Sequence, residues 1–464
     1  MLIRNAEIGG VAHQDVRIAN GRIVTVGAAL PSNPNEPVHD AAGGALLPGL
    51  HDHHLHLFAL AAQAVSVACG PPDVTTEAAL VETLRNAPPS DDSWLRGVGY
   101  HESVAGPLDR ARLDAWLPDR PARIQHRSGS LWILNSAALD RVCAGTAPPT
   151  GAERDARGHL DGRLFRLDAW LQERLAASPP TLEAVGRRLA RCGVTGVTDA
   201  SATNDAARSA ELARRQDTGE FPQRLRIMGD DSVEGFGSER CAPGERKILL
   251  DEARLPPFEA FVATARRAHE RDRAVAVHCV TRTELVFCIA GLQEAGSHPG
   301  DRIEHAAVAP PEVVDAVAAA GLRVVTQPHF LAERGEQYRV DVPAKDQPWL
   351  YRAAGWHAAG VPLAAGSDAP FGGPDPWRSM RAAVERRSAS GSVFDASEAL
   401  SPEAALALFM TPLDAPGGEA RRIEVDAPAD LCLLDRPWRA ARERLSTDDV
   451  AATWCAGRRV HPAP

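Results

Sequence analysis

Hydrophobic and polar positions divide the chain into β-rich ends and an alternating α/β middle. Residues 1–45 contain "MLIRNAEI", "QDVRIANGRIVTVG" and the start of "PVHDAAGGALLPG", short β-branched runs with turns at Asn20-Gly21 and Gly43-Gly44. The far C-terminus has the same texture in "RRIEVDAPADLCLLDRP" and "VAATWCAGRRVHPAP". Neither end is long enough to bury a hydrophobic face by itself. The pattern therefore predicts one small β-domain assembled from residues 1–45 and 412–464, which brings the termini together.

Between the ends, short apolar runs finish in polar residues and are separated by Ala/Arg/Glu-rich helical stretches. The runs are "GALLPGLHD", "GVTGVTD" (193–199), "RLRIMG" (224–229), "KILL" (247–250), "AVAVHC" (274–279), "RIEHA" (302–306), "RVVTQP" (323–328) and "VPLAAGSD" (361–368). Eight is the strand count of a (β/α)8 barrel, so the α/β fold expected over 46–411 is that barrel, with its chemistry at the C-terminal ends of the strands. "PFEAFVATARRAHERD" (257–272) and "PPEVVDAVAAAG" (310–321) read as crossover helices with prolines near their starts. An open doubly wound sheet uses the same ingredients, but no GxGxxG follows a strand. Residues 57–180 break the repeat and read as an inserted subdomain near the barrel mouth, with turns at "RNAPPSDDS" and "RLAASPPT".

Composition narrows the function. With 44% hydrophobic and 24% charged residues the chain of 464 expects a large folded core rather than disorder. A formal charge of -10 argues against a nucleic-acid-coating protein. The eight cysteines are widely spaced without a CxxC pair, which suits reduced thiols in a cytoplasmic protein. The start "MLIRNAEIGG" lacks the basic and apolar regions of a signal peptide, and no apolar run approaches the ~18 residues of a membrane span. Of 51 basic residues only Lys247 and Lys345 are lysines, leaving 51 − 2 = 49 arginines.

The histidines carry the chemistry. "PGLHDHHLHL" places His51, His53, His54 and His56 within six residues. Side chains alternate along a strand, so His54 and His56 face one site, with Asp52 on their side. Imidazoles at i and i+2 form a metal pincer, each with a neutral nitrogen to offer. His278 and His305 end two further strands and Asp368 ends an eighth, so one barrel would aim all of them at one opening. Alone, any of these residues reads as core; together they make a hydrolytic metal site in which Asp368 binds metal and shuttles protons.

Lys247 lies in the fourth strand. An ammonium is a poor metal ligand because it offers no lone pair. Two readings stand: a salt-bridged surface lysine, or a carbamylated lysine (N6-carboxylysine) whose carboxylate bridges two ions. Arginine cannot replace it in the second role, since its guanidinium stays protonated.

Together, "PGLHDHHLHL", "KILLD", "VAVHC", "RIEHA" and "GSDAPF" resemble the signature segments of the metal-dependent amidohydrolase superfamily. The likeness is strongest to the branch holding N-substituted formamide deformylases and related uncharacterised hydrolases. "GVTGVTDA", "LDAWLPDRPARI", "WILNSAAL" and "APADLCLLD" extend it over essentially the whole chain. The resemblance implies a distorted (β/α)8 barrel with a small composite β-sandwich. It implies metal ligands at His54, His56, Lys247, His278, His305 and Asp368, with Asp368 and Lys247 in catalytic roles, one or two divalent ions, most simply Zn2+, and a homodimer. The branch commonly carries histidine after glycine ahead of its "WxxNS" segment, where this chain has Gly129-Ser130. His51 and His53 are read as supporting partners, with His51 a rival for a metal.

The implied reaction is hydrolysis of an amide C–N bond, of N-acyl or N-formyl type, through metal-activated hydroxide. Expected contacts to a small amide substrate are His101, Arg127, Ser130, Trp132, Asn135 and His329. Rival readings are a cyclic amidine or ureide aminohydrolase and a metal-binding homologue without turnover. Neither nucleic acid nor a membrane is expected as a partner.

Overall fold

All eight expected strands form and pair side by side in one parallel sheet, in chain order. They are β1 (Leu50–Leu55), β2 (Val194–Asp199), β3 (Arg224–Gly229), β4 (Cys241–Leu249), β5 (Val275–Cys279), β6 (Arg302–His305), β7 (Arg323–Thr326) and β8 (Leu363–Ala365). This computed structural model describes residues 1–71, 73–88, 94–175 and 179–462. The described chain divides into two compact units, Met1–Leu57 with Leu182–Pro464, and Phe58–Thr181.

In the first unit the sheet closes on itself into a (β/α)8 barrel. Leu55 bridges Ala369 in parallel register, His56 N donates to Ala369 O at 2.8 Å, and Asp368 N donates to His54 O at 2.6 Å. Every residue of β1 and β2 is buried, as expected of strands covered on both faces. The helix Phe258–His269 buries Phe261, Val262, Ala265 and Ala268 along one stripe. Arg282–Ala295 begins with a Thr281/Glu284 capping box, and Pro311–Ala319 carries proline in its first turn.

Two of the strand limits that differ from the sequence expectation bear on the site. β4 starts at Cys241 rather than Lys247, so Lys247 lies within it. β8 stops at Ala365, three residues before Asp368. Past Ala365 the backbone bonds to other partners: Gly366 N donates to Thr326 O at 3.1 Å and Ser367 N to Asp52 Oδ1 at 2.9 Å. Asp368 then turns into the left-handed region at φ 51°.

The chain ends supply two four-stranded sheets. One holds Leu2–Ile8, Val11–Ala19, Arg22–Gly27 and Val38–Asp40; the other holds Leu46–Pro48, Leu431–Leu434, Val450–Cys455 and Arg458–His461. Ile3, Val16, Ile23, Leu46, Leu431 and Trp454 bury into one shared core. Because Leu46–Pro48 leads through Gly49 into β1, this sandwich sits against the amino-terminal end of that strand.

The second unit has a six-stranded sheet in the order 152–154, 160–165, 131–134, 122–126, 95–100 and 67–68, with its own buried clusters. The turns expected at "RNAPPSDDS" and "RLAASPPT" run through 89–93 and 176–178, outside the described residues. Among the described residues, no helix is long and apolar enough to cross a membrane. All eight cysteines are free thiols, and all but Cys143 are buried.

Candidate metal centre

The alternation of β1 sorts its four histidines into two sets. His51 and His53 turn to Thr411: His51 Nδ1 meets Thr411 O at 2.9 Å, and His53 Nε2 meets Thr411 Oγ1 at 3.0 Å. His54 and His56 take the other side, with ring centroids 5.4 Å apart. His56 Nε2 lies 3.1 Å and His54 Nε2 3.5 Å from the same oxygen, Asp368 Oδ1. The ligand atoms of these three residues all lie within 4.8 Å of one another, which makes a divalent metal site.

His305 closes on the cluster from β6, its ring 4.8 Å from His54 and 4.5 Å from His278 on β5. The strand-end rule thus brings His54, His56, His278, His305 and Asp368 to one end of the barrel. His305 and Asp368 both have positive φ, 70° and 51°. Such backbone strain in non-glycine residues gathers at functional sites.

Electrostatics suit metal binding. Burial and the Lys247 charge lower His54 to about 3. Burial lowers His305, and lowers His278 further. All three are therefore neutral at physiological pH, the form that ligates. Burial raises Asp368, but the hydrogen bond from His56 and the neighbouring His54 and His305 outweigh it and hold the carboxyl below its ordinary range.

Lys247 is buried, 2% exposed, and its Nζ has no hydrogen-bond partner among the described residues. Burial lowers its pKa, opposed by the charge of Glu304. It is not the exposed, salt-bridged lysine of the simpler reading.

Neighbouring residues fix the orientation of the rings. His54 Nδ1 bonds Glu304 Oε2, His56 Nδ1 bonds Ser201 Oγ at 2.9 Å, and His305 Nδ1 bonds Gln327 Oε1 at 2.8 Å. Ser201 is itself set by Asp199, which accepts from Ser201 N at 3.0 Å. Asp52 accepts from His54 N at 3.1 Å and Ser367 N at 2.9 Å, tying β1 to the chain beyond β8. Burial raises the Asp52 carboxyl to about 6. The sequence reading missed Glu304, Ser201, Gln327 and Ser367, although each lies within two residues of a strand end.

The expected substrate contacts are placed as follows. His329 is buried, with Nδ1 3.2 Å from Ser379 Oγ and Nε2 3.0 Å from Ser367 O, so it braces the chain beyond β8. In the second unit, Asn135 is fully buried, caps the helix Ser136–Val142 and donates to Leu117 O and Arg120 O. Trp132 is buried and donates through Nε1 to Asp168 at 2.8 Å. Ser130 Oγ meets Ser128 Oγ at 2.9 Å, and Arg127 N donates to Tyr100 O at 2.8 Å.

His101 belongs to a second cluster with Glu102 and His126. There Ser103 N donates to His101 Nδ1 and Ser128 N to His126 Nδ1, both at 3.1 Å. Each neutral ring then carries its proton on Nε2, and His126 shares its own with Glu102 at 3.0 Å. Protonated Nε2 atoms offer no lone pair to a metal, unlike those of His54 and His305, whose Nδ1 atoms face oxygens that only accept.

The amidohydrolase family pattern matches residues 37–461. The chain belongs to the amidohydrolase family. Together with the barrel cluster, this makes it a metal-dependent amidohydrolase of the kind that acts on carbon–nitrogen bonds other than peptide bonds. The amidohydrolase is 28% identical to an N-substituted formamide deformylase of Arthrobacter pascens, over 98% of this chain and 96% of that one. Its fold matches two uncharacterised metal-dependent hydrolases. That of Pyrococcus horikoshii has a TM-score of 0.74 and 18% identity over 94% of this chain and 97% of its own. That of Pyrococcus furiosus has a TM-score of 0.72 and 20% identity over 94% and 98%.

Proposed function

We propose that this amidohydrolase cleaves the C–N bond of an N-formyl or N-acyl amide, releasing an amine and a carboxylic acid. The observation that carries the reading is the convergence of His54 Nε2 and His56 Nε2 on Asp368 Oδ1, with Lys247 buried and its Nζ without a hydrogen-bond partner among the described residues. The likeness to a formamide deformylase along nearly the whole chain supports the substrate class.

His54, His56 and Asp368 would hold one Zn2+ ion, His278 and His305 would hold a second, and Lys247 as a carbamate would contribute to both. Nitrogen and carboxylate donors suit zinc. Carbamylation also replaces a buried ammonium that has no partner with an anion, which suits a buried cationic centre. Ions held there would supply a lowered pKa for water and polarisation of the amide carbonyl.

Asp368 then moves the proton. Its carboxylate is ionised, so it accepts the proton that water loses as its oxygen bonds to the carbonyl carbon. When the C–N bond breaks, the same carboxyl gives that proton to the departing nitrogen. Ser201 and Gln327 keep His56 and His305 in one orientation throughout.

A panel of N-formyl amines, N-acyl amines, cyclic amides and cyclic amidines tests the reading, scored for amine, acid and ammonia. Formate or another carboxylic acid released in equal amount to amine is the expected result. Ammonia from cyclic amidines alone would overturn it.

A further inference from the structure

We propose that Glu304 is a positioning residue whose charge makes His54 a stronger metal ligand than His56 or His305. This rests on the metal reading above. His54 and His305 present Nδ1 to oxygens that can only accept, which leaves the lone pair on Nε2 for a metal, whereas His56 presents Nδ1 to the Ser201 hydroxyl, which can also donate. The oxygens are unequal. Ser201 and Gln327 are neutral, whereas Glu304 is a carboxylate. An anionic acceptor draws the Nδ1 proton more strongly and enriches Nε2, so it strengthens the ligand as a neutral acceptor cannot.

The surroundings hold that charge in place. Glu304 is fully buried, and its other oxygen accepts from Arg302 Nε. Arg302 is also fully buried, and its Nη2 donates to His53 O at 2.7 Å. Arg302 therefore ties Glu304 on β6 to the backbone of β1 next to His54. Neither oxygen of Glu304 is spare, and rotation of the carboxylate would break the contacts with both Arg302 and His54.

A simpler role is conceivable on chemical grounds: Glu304 balances Arg302 and touches His54 incidentally. Two variants separate these roles. Glu304→Gln keeps an oxygen able to accept from His54 Nδ1 while removing the charge. Arg302→Met with Glu304→Gln removes both charges, so no unbalanced guanidinium remains to weaken the fold.

The test is Zn2+ affinity, measured by competition with a chromophoric chelator, alongside the visible spectrum of the Co2+-substituted protein. Both Glu304 variants are expected to bind Zn2+ about 10–100-fold more weakly than wild type, with a shifted Co2+ spectrum. Ser201→Ala and Gln327→Ala are expected to lose less. Wild-type affinity in Glu304→Gln, or its return in the double variant, would overturn the proposal, because Glu304 would then only balance Arg302. If wild type itself retains no Zn2+, the metal reading fails and this inference fails with it.

Discussion

His56 Nε2 and Asp368 Oδ1 meet at 3.1 Å although 312 positions separate them in the chain. Barrel closure creates the meeting. Asp368 N donates to His54 O, and His56 N to Ala369 O, so the chain beyond β8 is laced to the end of β1. The histidine pair and the Asp368 carboxylate are therefore parts of one seam.

Asp368→Asn keeps the shape of this seam and removes the proton acceptor. Turnover is expected to fall by about 10²–10⁴-fold, the usual contribution of general acid–base catalysis. The melting temperature is expected to stay close to that of wild type. Wild-type turnover would remove Asp368 from proton transfer.

The seam also depends on Gly366. A Cβ there would lie 2.4 Å from His54 N and 2.6 Å from His54 Cβ, atoms that are anchored in β1. Gly366→Ala is expected to cost about 1–3 kcal/mol through overpacking and to reduce bound metal. Thermal melts and metal analysis of the purified variant check both, and an unchanged melt would show that β1 and β8 part more easily than their bonding implies.

Lys247 tests the proposed two-ion centre. Lys247→Ala is expected to bind one ion where wild type binds two, and Lys247→Arg is expected not to restore the second, because guanidinium forms no carbamate. Crystals grown with bicarbonate should show density for a carboxylated Nζ. Two ions and full turnover in Lys247→Ala would reject the bridge.

Acid should destabilise the metal-free protein. Burial lowers His51, His53, His54, His278, His305 and His329 below the ordinary value of about 6.5. Above that pH these rings are neutral whether the chain is folded or not. Below it the unfolded chain gains protons that the native state refuses, so stability falls at about 1.4 kcal/mol per pH unit for each histidine that stays neutral. Asp52, raised to about 6, opposes this between about pH 6 and 4, since the native carboxyl keeps a proton that the unfolded one releases. Asp168, Asp375 and Asp449, also raised by burial, oppose the loss too, while His39, His126 and His461, also lowered by burial, add to it. Four carboxyls against nine histidines leave a net loss. Melting temperatures at pH 7.5, 6 and 5 are expected to decrease in that order, and a rise toward pH 5 would contradict the assignment of buried neutral histidines.

The barrel was legible because each strand is a short apolar run ending in a polar residue. Alternation along β1 was enough to separate His54 and His56 from His51 and His53. The strand-end rule located His278, His305 and Asp368. The oxygens that orient the rings were hidden for a definite reason: Ser201 meets His56 across 145 positions and Gln327 meets His305 across 22. Such pairings depend on which strand ends become neighbours and how far each chain runs on, which periodicity does not encode. Glu304 was read as one letter of "RIEHA", and nothing in that segment says that it reaches His54. The second unit was legible only as an insertion, since its strands are two to six residues long and carry little periodic signal.

Metal-dependent hydrolysis of an amide C–N bond at the His54–His56–Asp368 cluster is tested most directly by amine release from N-formyl and N-acyl substrates, using protein stripped with a chelator and then titrated with Zn2+. No turnover is expected from the stripped protein, with activity returning in proportion to Zn2+ bound until the site is filled. Equal turnover with and without metal, or none from the metal-replete protein on any amide of the panel, would contradict it.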